Sequence, residues 1–124
     1  KKFLNMENTN YEIKNNIECG YNEFNFIAKI KGKIVGILSG CTCYSEVYLD
    51  NIIVSEKYRG KGIGKILMDT VEKCFKNKNH NNINLVTNDF QAPDFYKKCG
   101  FELEFKRENK ENPNLTKYFF IKYL

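Results

Sequence analysis

The sequence predicts a single mixed α/β domain, and three observations carry that reading. The chain has 124 residues, one domain's worth at the usual ~100–200 residues per domain. Apolar residues recur at every second position in some stretches and at three- and four-residue spacing in others, so strand and helix patterns interleave. No internal repeat, low-complexity tract or interior linker divides the chain.

The elements follow in order. Residues 9–24 place Tyr11, Ile13, Ile17, Tyr21 and Phe24 near helical period, with Thr9 or Asn10 as N-cap and Gly20 as a weak point. Two apolar runs, 24–30 and 34–44, flank Lys31-Gly32-Lys33 and read as a β-hairpin with glycine at the turn. Residues 47–54 alternate as a third strand, with Val47, Leu49, Asn51 and Ile53 on one face and Tyr48, Asp50, Ile52 and Val54 on the other. Residues 55–64 are polar and glycine-rich. Ile63, Ile66, Leu67, Val71, Cys74 and Phe75 then fall on one helical face. The polar run 77–82 reads as a loop, and residues 83–86 as a short buried strand. Pro93 suits the first turn of a helix over 93–99, which Gly100 ends. Two closing strands, 101–105 and 118–124, surround a polar loop containing Pro113.

Composition narrows the function. The chain is 42% hydrophobic and 28% charged, ordinary for a globular protein and unlike a disordered one. No apolar stretch approaches the ~20 residues of a membrane span, and no signal-peptide pattern opens it. Residue 1 is Lys, which leaves room for a native N-terminus upstream. The net charge of +5 is spread evenly, with 9 basic against 7 acidic residues up to Gly62 and 11 against 8 after it. Nucleic-acid binding shows a clustered basic footprint, so no nucleic-acid partner is expected. The 18 lysines and 17 asparagines fit an AT-rich coding bias better than a function.

Five cysteines, at 19, 41, 43, 74 and 99, lack a disulfide framework's spacing. Reduced thiols in a cytoplasmic compartment are the expectation. Cys41 and Cys43 point to one strand face, and the single histidine, His80, lies in the polar loop. No metal site is expected from that set.

The segment that carries chemistry is residues 47–65. A strand runs into a loop with Gly60, Gly62 and Gly64, and the loop opens a helix. Glycines allow close approach of backbone to a ligand, and the first helical N–H groups lack internal partners. Together they suit an anion such as phosphate, with Arg59, Lys61 and Lys65 adding charge. A Walker-type loop needs Ser or Thr after Gly64-Lys65, where Ile66 stands. The dinucleotide fingerprint needs glycine at position 65. A turn that only lets strand and helix pack closely remains the plain alternative.

The spacing present is Arg59-x-x-Gly62-x-Gly64. With Ala92-Pro93-Asp94-Phe95-Tyr96-Lys97-Lys98-Cys99-Gly100-Phe101 downstream, the chain resembles the GNAT superfamily of acetyl-CoA-dependent N-acetyltransferases over residues 24–124. The resemblance implies a largely antiparallel central sheet with helices on both faces and strands splayed beside the third strand to admit coenzyme A. It implies acetyl-CoA as acyl donor, with no metal. Its cofactor-binding residues become Ile52, Ile53 and Val54 along the pantetheine, and Arg59, Gly60, Lys61, Gly62, Ile63, Gly64 and Lys65 around the pyrophosphate.

The resemblance makes Tyr96 the general acid for the departing thiolate, the proton such a reaction needs; a core aromatic beside Phe95 is the alternative. Asp50 becomes the first candidate for general base, followed by Glu46 and Asp89. Asp89 stands where many relatives have Asn. Only about 23 residues precede the hairpin, fewer than relatives commonly have, so the acceptor wall is expected to be shortened, open, or completed by another subunit, as in a homodimer. The expected activity is acetyl transfer to a primary amine of a small molecule, an amino sugar among the candidates, by direct attack. A protein or peptide N-acetyltransferase and a non-catalytic acyl-CoA-binding module are the alternatives. A cysteine acyl-enzyme through Cys41 or Cys43 lacks a partner histidine.

Overall fold

The elements occur in the expected order: α1 (Lys2–Lys14), β1 (Asn22–Ile30), β2 (Lys33–Cys43), β3 (Glu46–Val54), α2 (Ile63–Phe75), β4 (Asn82–Asn88), α3 (Asp94–Lys98), β5 (Glu102–Arg107) and β6 (Lys117–Tyr123). The computed structural model describes residues 1–124. Six strands form one sheet in the order β1-β2-β3-β4-β6-β5. Every neighbouring pair is antiparallel except β3 and β4. The β1–β2 hairpin turns on Lys31 (φ 51) and Gly32 (φ 78), two left-handed residues whose twist matches the flanking strands. A parallel pair needs a crossover, which α2 supplies between β3 and β4. No helix is long and apolar enough to cross a membrane.

The core lies where α2 and α3 meet the sheet. Leu67, Met68 and Val71 of α2 and Tyr96 of α3 join Cys99 and Phe101 against Leu38, Val47, Leu49, Ile83, Leu85 and Phe120. The mixed, largely antiparallel class is the expected one, but helical cover is uneven: α1 buries none of its side chains.

The first helix differs from the expectation. It runs over Lys2–Lys14 rather than 9–24, because Asn16 (φ 57) and Gly20 (φ 60) take left-handed conformations that break helical continuity. Thr9 is not an N-cap. Its hydroxyl donates to the Asn5 carbonyl at 2.9 Å, one turn back inside the helix.

Two features of β3 position the site. Its pairing with β2 matches Ser39 to Asn51 and Gly40 to Leu49, so Asp50 is an extra, bulged residue. The alternation flips there: Val47 and Leu49 are buried, yet Ile52 and Val54, not Asn51 and Ile53, pack against the core beyond the bulge. Pairing with β4 covers only residues 46–49 against 82–85 and then stops. Past Leu49 the two strands diverge, β3 staying with β2 and β4 with β6.

Candidate active site

The loop after β3 builds a row of backbone donors. A 3-10 turn over Glu56–Tyr58 leads to Gly60 (φ 76) and Gly62 (φ 81), and Gly62 is the N-cap of α2 with no side chain satisfying the helix end. Ile66 N–H makes the first turn's bond, to the Gly62 carbonyl at 3.0 Å. The amides of Ile63, Gly64 and Lys65 are therefore left facing the loop at the positive end of a 13-residue helix. A Cβ at Gly60 or Gly62 would meet nothing within 4 Å, so open space lies beside them. Gly64 differs: its Cβ would sit 3.1 Å from the Phe95 ring, so this glycine lets α2 pack against α3.

The cations are partly engaged. Arg59 Nε donates to the Val54 carbonyl at 2.9 Å and ties the loop to the end of β3. Lys61 Nζ lies 5.4 Å from the Tyr58 ring centroid, and Lys65 pairs with Asp69 at 3.3 Å.

A groove of about 620 Å³ runs along these elements. Of the residues expected to hold coenzyme, Ile52, Ile53, Val54, Arg59, Gly60, Gly62, Ile63, Gly64 and Lys65 line it; Lys61 does not. The opposite wall is Phe90, Gln91, Ala92, Phe95 and Tyr96. A second cavity of about 130 Å³ fills the opening between β3 and β4 and is lined by Asp50, Val86 and Thr87 among others. The two cavities share Ile52, Ile53, Gln91 and Tyr96. A hollow of about 650 Å³ beside the C-terminal end of α1, lined by Tyr11, Glu12 and Tyr44, has none of these groups.

Tyr96 therefore stands at a junction while remaining only 9% exposed. The rings of Phe95, Phe101 and Phe120 surround it with centroids 5.3, 6.3 and 5.7 Å away. Burial pushes its phenol above the usual tyrosine range, and a hydrogen bond from Thr87 pulls it partly back.

The three carboxylates separate. Asp50 is exposed on the bulge and lines the cavity in the strand opening. Glu46 sits at the start of β3, where its Oε1 accepts from the Asn82 and Asn84 amides at 3.2 Å each. Asp89 accepts the Tyr118 hydroxyl at 2.8 Å. Neither Glu46 nor Asp89 lines either cavity.

The cysteines are unsuited to nucleophilic catalysis. Cys43 Sγ lies 3.2 Å from Cys19 Sγ, and that contact, with burial next, pushes the Cys43 thiol up to about 11. Burial, then the Asp50 and Glu23 charges, raise Cys41. A thiol held neutral is a weak nucleophile. His80 packs against Phe75, 5.2 Å between centroids, away from both thiols' groove-side neighbours.

Sequence reasoning missed Tyr58, Phe90, Gln91, Ala92 and Thr87. Phe90 is an aromatic 63% exposed beside the groove, and Ala92 holds φ 54 without being glycine. Gln91 in a Gln-Ala-Pro turn was the available signal, since its side chain accepts the Asn88 N–H at 3.0 Å and caps that turn.

Comparison with known proteins agrees with this geometry. A model of the Acetyltransferase (GNAT) family matches residues 4–101. No curated protein sequence matches. Among solved structures, an acetyltransferase from Bacillus cereus superposes with a TM-score of 0.85 at 27% identity, covering 99% of this chain and 90% of its own. A Bacillus anthracis protein, provisionally named a streptothricin acetyltransferase and solved with acetyl coenzyme A, gives 0.70 at 25% identity over 83% of this chain and 63% of its own. An aminoglycoside 6′-N-acetyltransferase complexed with coenzyme A shares the fold, with a TM-score of 0.70 at 17% identity over 82% of this chain and 72% of its own.

Proposed function

Starting from the fact that the chain belongs to the GNAT family of acetyltransferases, we propose that it transfers the acetyl group of acetyl-CoA to a primary amine of a small molecule by direct attack. One observation carries this reading. The groove beside the glycine loop and the cavity between β3 and β4 meet at the buried phenol of Tyr96.

Each part then has work suited to its chemistry. The free amides of Ile63, Gly64 and Lys65, with the positive end of α2, bind the coenzyme pyrophosphate. Ile52, Ile53 and Val54 lead the pantetheine into the strand opening, where β3 has lost its β4 partner and its backbone groups are available. The amine enters from the Asp50 side. Asp50 takes its proton, the nitrogen lone pair forms the C–N bond, and the C–S bond breaks. The sulfur keeps the electron pair and receives the Tyr96 proton, so coenzyme A leaves as the thiol. A cavity of about 130 Å³ suits an aminomethyl group rather than a folded protein segment. The neighbours named for aminoglycosides and streptothricin are compatible with an amino sugar as acceptor.

The test is a thiol-release assay with acetyl-CoA against amino sugars, polyamines, amino acids and peptides. Release with small amines is expected. Release with peptides alone would make the enzyme a protein modifier. Coenzyme binding with no release on any amine would make it a binding module.

A further inference from the structure

Thr87 has no role in the reaction as drawn, yet its surroundings tie it to Tyr96. It lies near the end of β4, opposite Tyr118 of β6, and is only 4% exposed. A buried hydroxyl keeps hydrogen-bond partners, and Thr87 has two. It donates to Gln91 Oε1 at 3.5 Å, a long bond, and it hydrogen-bonds the Tyr96 phenol. The Gln91 oxygen is held in place by the Asn88 N–H at 3.0 Å. All three side chains border the cavity in the strand opening. One hydroxyl carries one hydrogen, so Thr87 cannot donate to Gln91 and Tyr96 at once.

We propose that Thr87 is a positioning residue acting through Tyr96: its hydroxyl hydrogen turns from Gln91 to the phenol oxygen when Tyr96 gives its proton to the departing coenzyme thiolate. This rests on the reading of Tyr96 as general acid. In the resting enzyme the long bond to Gln91 parks the hydrogen and leaves the phenol proton free to face the sulfur. As the thioester C–S bond breaks, sulfur takes the bonding pair and the phenol proton. The phenolate left behind is buried among Phe95, Phe101 and Phe120, where a charge is costly, and the Thr87 hydrogen bond offsets part of that cost. A proton shed by the newly acylated nitrogen returns through solvent to restore the phenol. Other titratable groups nearby do not substitute. The Cys99 thiol at the end of α3 is itself pushed up by burial and disfavours the phenolate, and Asp50 in the same cavity carries the wrong sign to help.

The experiment compares Thr87→Val and Thr87→Ser in the full chain, reading steady-state kinetics and the titration of Tyr96 by NMR of tyrosine labelled at the ring carbon bearing oxygen. Thr87→Val should lower kcat about tenfold, the scale of one hydrogen bond to a charged group, with KM for acetyl-CoA unchanged. It should also move the Tyr96 titration to higher pH, and Thr87→Ser should restore both. On a Tyr96→Phe background, Thr87→Val should cost nothing further. Gln91→Leu, at an exposed position, tests the other arm: with the competing acceptor gone, Tyr96 should titrate at lower pH. An unmoved titration in both Thr87→Val and Gln91→Leu, or a Thr87→Val defect that Thr87→Ser fails to rescue, overturns the proposal. The titration needs no turnover, so a chain that released no thiol would refute the acetyl-transfer reading while the Thr87 bond was still decided.

Discussion

Replacing Gly62 by Val separates the fold from the ligand site at one position. Gly62 holds φ 81 as the N-cap of α2, with open space around its missing Cβ. The fold cost is therefore conformational, about 1–2 kcal/mol for placing an L side chain in the left-handed region. At about 2.1 cal/mol/K per residue, a chain of 124 residues loses about 4 °C in Tm for each kcal/mol. The variant should stay folded at 25 °C with Tm lowered by roughly 4–8 °C. Binding suffers more. The new side chain enters the space beside the Ile63, Gly64 and Lys65 amides, and the loss of one hydrogen bond to a charged phosphate is worth about 1.5–3 kcal/mol. That is roughly a 10- to 150-fold rise in Kd. Thermal unfolding without ligand and titration calorimetry with coenzyme A measure the two effects separately. Wild-type affinity in a folded Gly62→Val protein would remove the glycine loop from the coenzyme site.

Four further outcomes are expected. Gly64→Ala should destabilise through overpacking against Phe95, by about 1–3 kcal/mol before the gain of up to ~1 kcal/mol from alanine in a helix, and thermal unfolding checks it. Its coenzyme affinity, read by the same calorimetry, should fall less than that of Gly62→Val. Tyr96→Phe should lower kcat by roughly 10²–10⁴-fold in the thiol-release assay, with coenzyme affinity retained; an unchanged kcat dismisses it as the acid. Asp50→Asn should lower kcat by roughly 10²-fold or more with KM for acetyl-CoA unchanged, and wild-type kcat dismisses it as the base. Because burial raises the folded phenol of Tyr96 above the unfolded value of about 10, the unfolded chain releases that proton first. Its contribution to stability is present below pH ~10 and declines as pH rises above it. Urea unfolding between pH 9 and 11 should show a shallower alkaline loss in Tyr96→Phe than in the parent.

What the sequence made legible was local. The hairpin turn, the α2 face and the stop at Gly100 each depend on a few neighbouring residues whose φ preference or spacing has one common reading. The start of the chain failed because its apolar residues only imitate a helical period. Tyr11 and Ile13 lie on α1 but remain exposed, Ile17 and Tyr21 fall in the connection, and Phe24 belongs to β1. Thr9 carried a capping side chain, yet a serine or threonine can satisfy the same hydroxyl one turn back, and here it does. The opening between β3 and β4 had no local signature, because it is the end of a pairing between strands separated by a whole helix. Thr87 was invisible for the same reason: its meaning comes from Tyr96, contributed by the next helix.

Asp50 is the residue where local and global readings collide, and the collision explains its position. Strict alternation from Val47 puts Asp50 on the same face as Ile52 and Val54. That arrangement would place a carboxylate and two aliphatic side chains together, opposite a face combining Leu49 with Asn51. Leu49 and Ile52 must both turn toward α2 for the core to close, and residues three apart share a strand face only if one extra residue lies between them. The two consecutive polar residues, Asp50-Asn51, supply it. The bulge also ends the stretch of β3 that can keep register with β4, since the parallel pairing stops at Leu49, immediately before it. One inserted residue thus turns the carboxylate out of the core, brings Ile52 and Val54 back onto it, and coincides with the opening into which the groove leads. The polar pair inside an apolar strand is therefore a folding requirement as well as a candidate catalytic feature. That is why Asp50→Asn, which keeps the bulge and removes the charge, tests the chemistry without disturbing the strand.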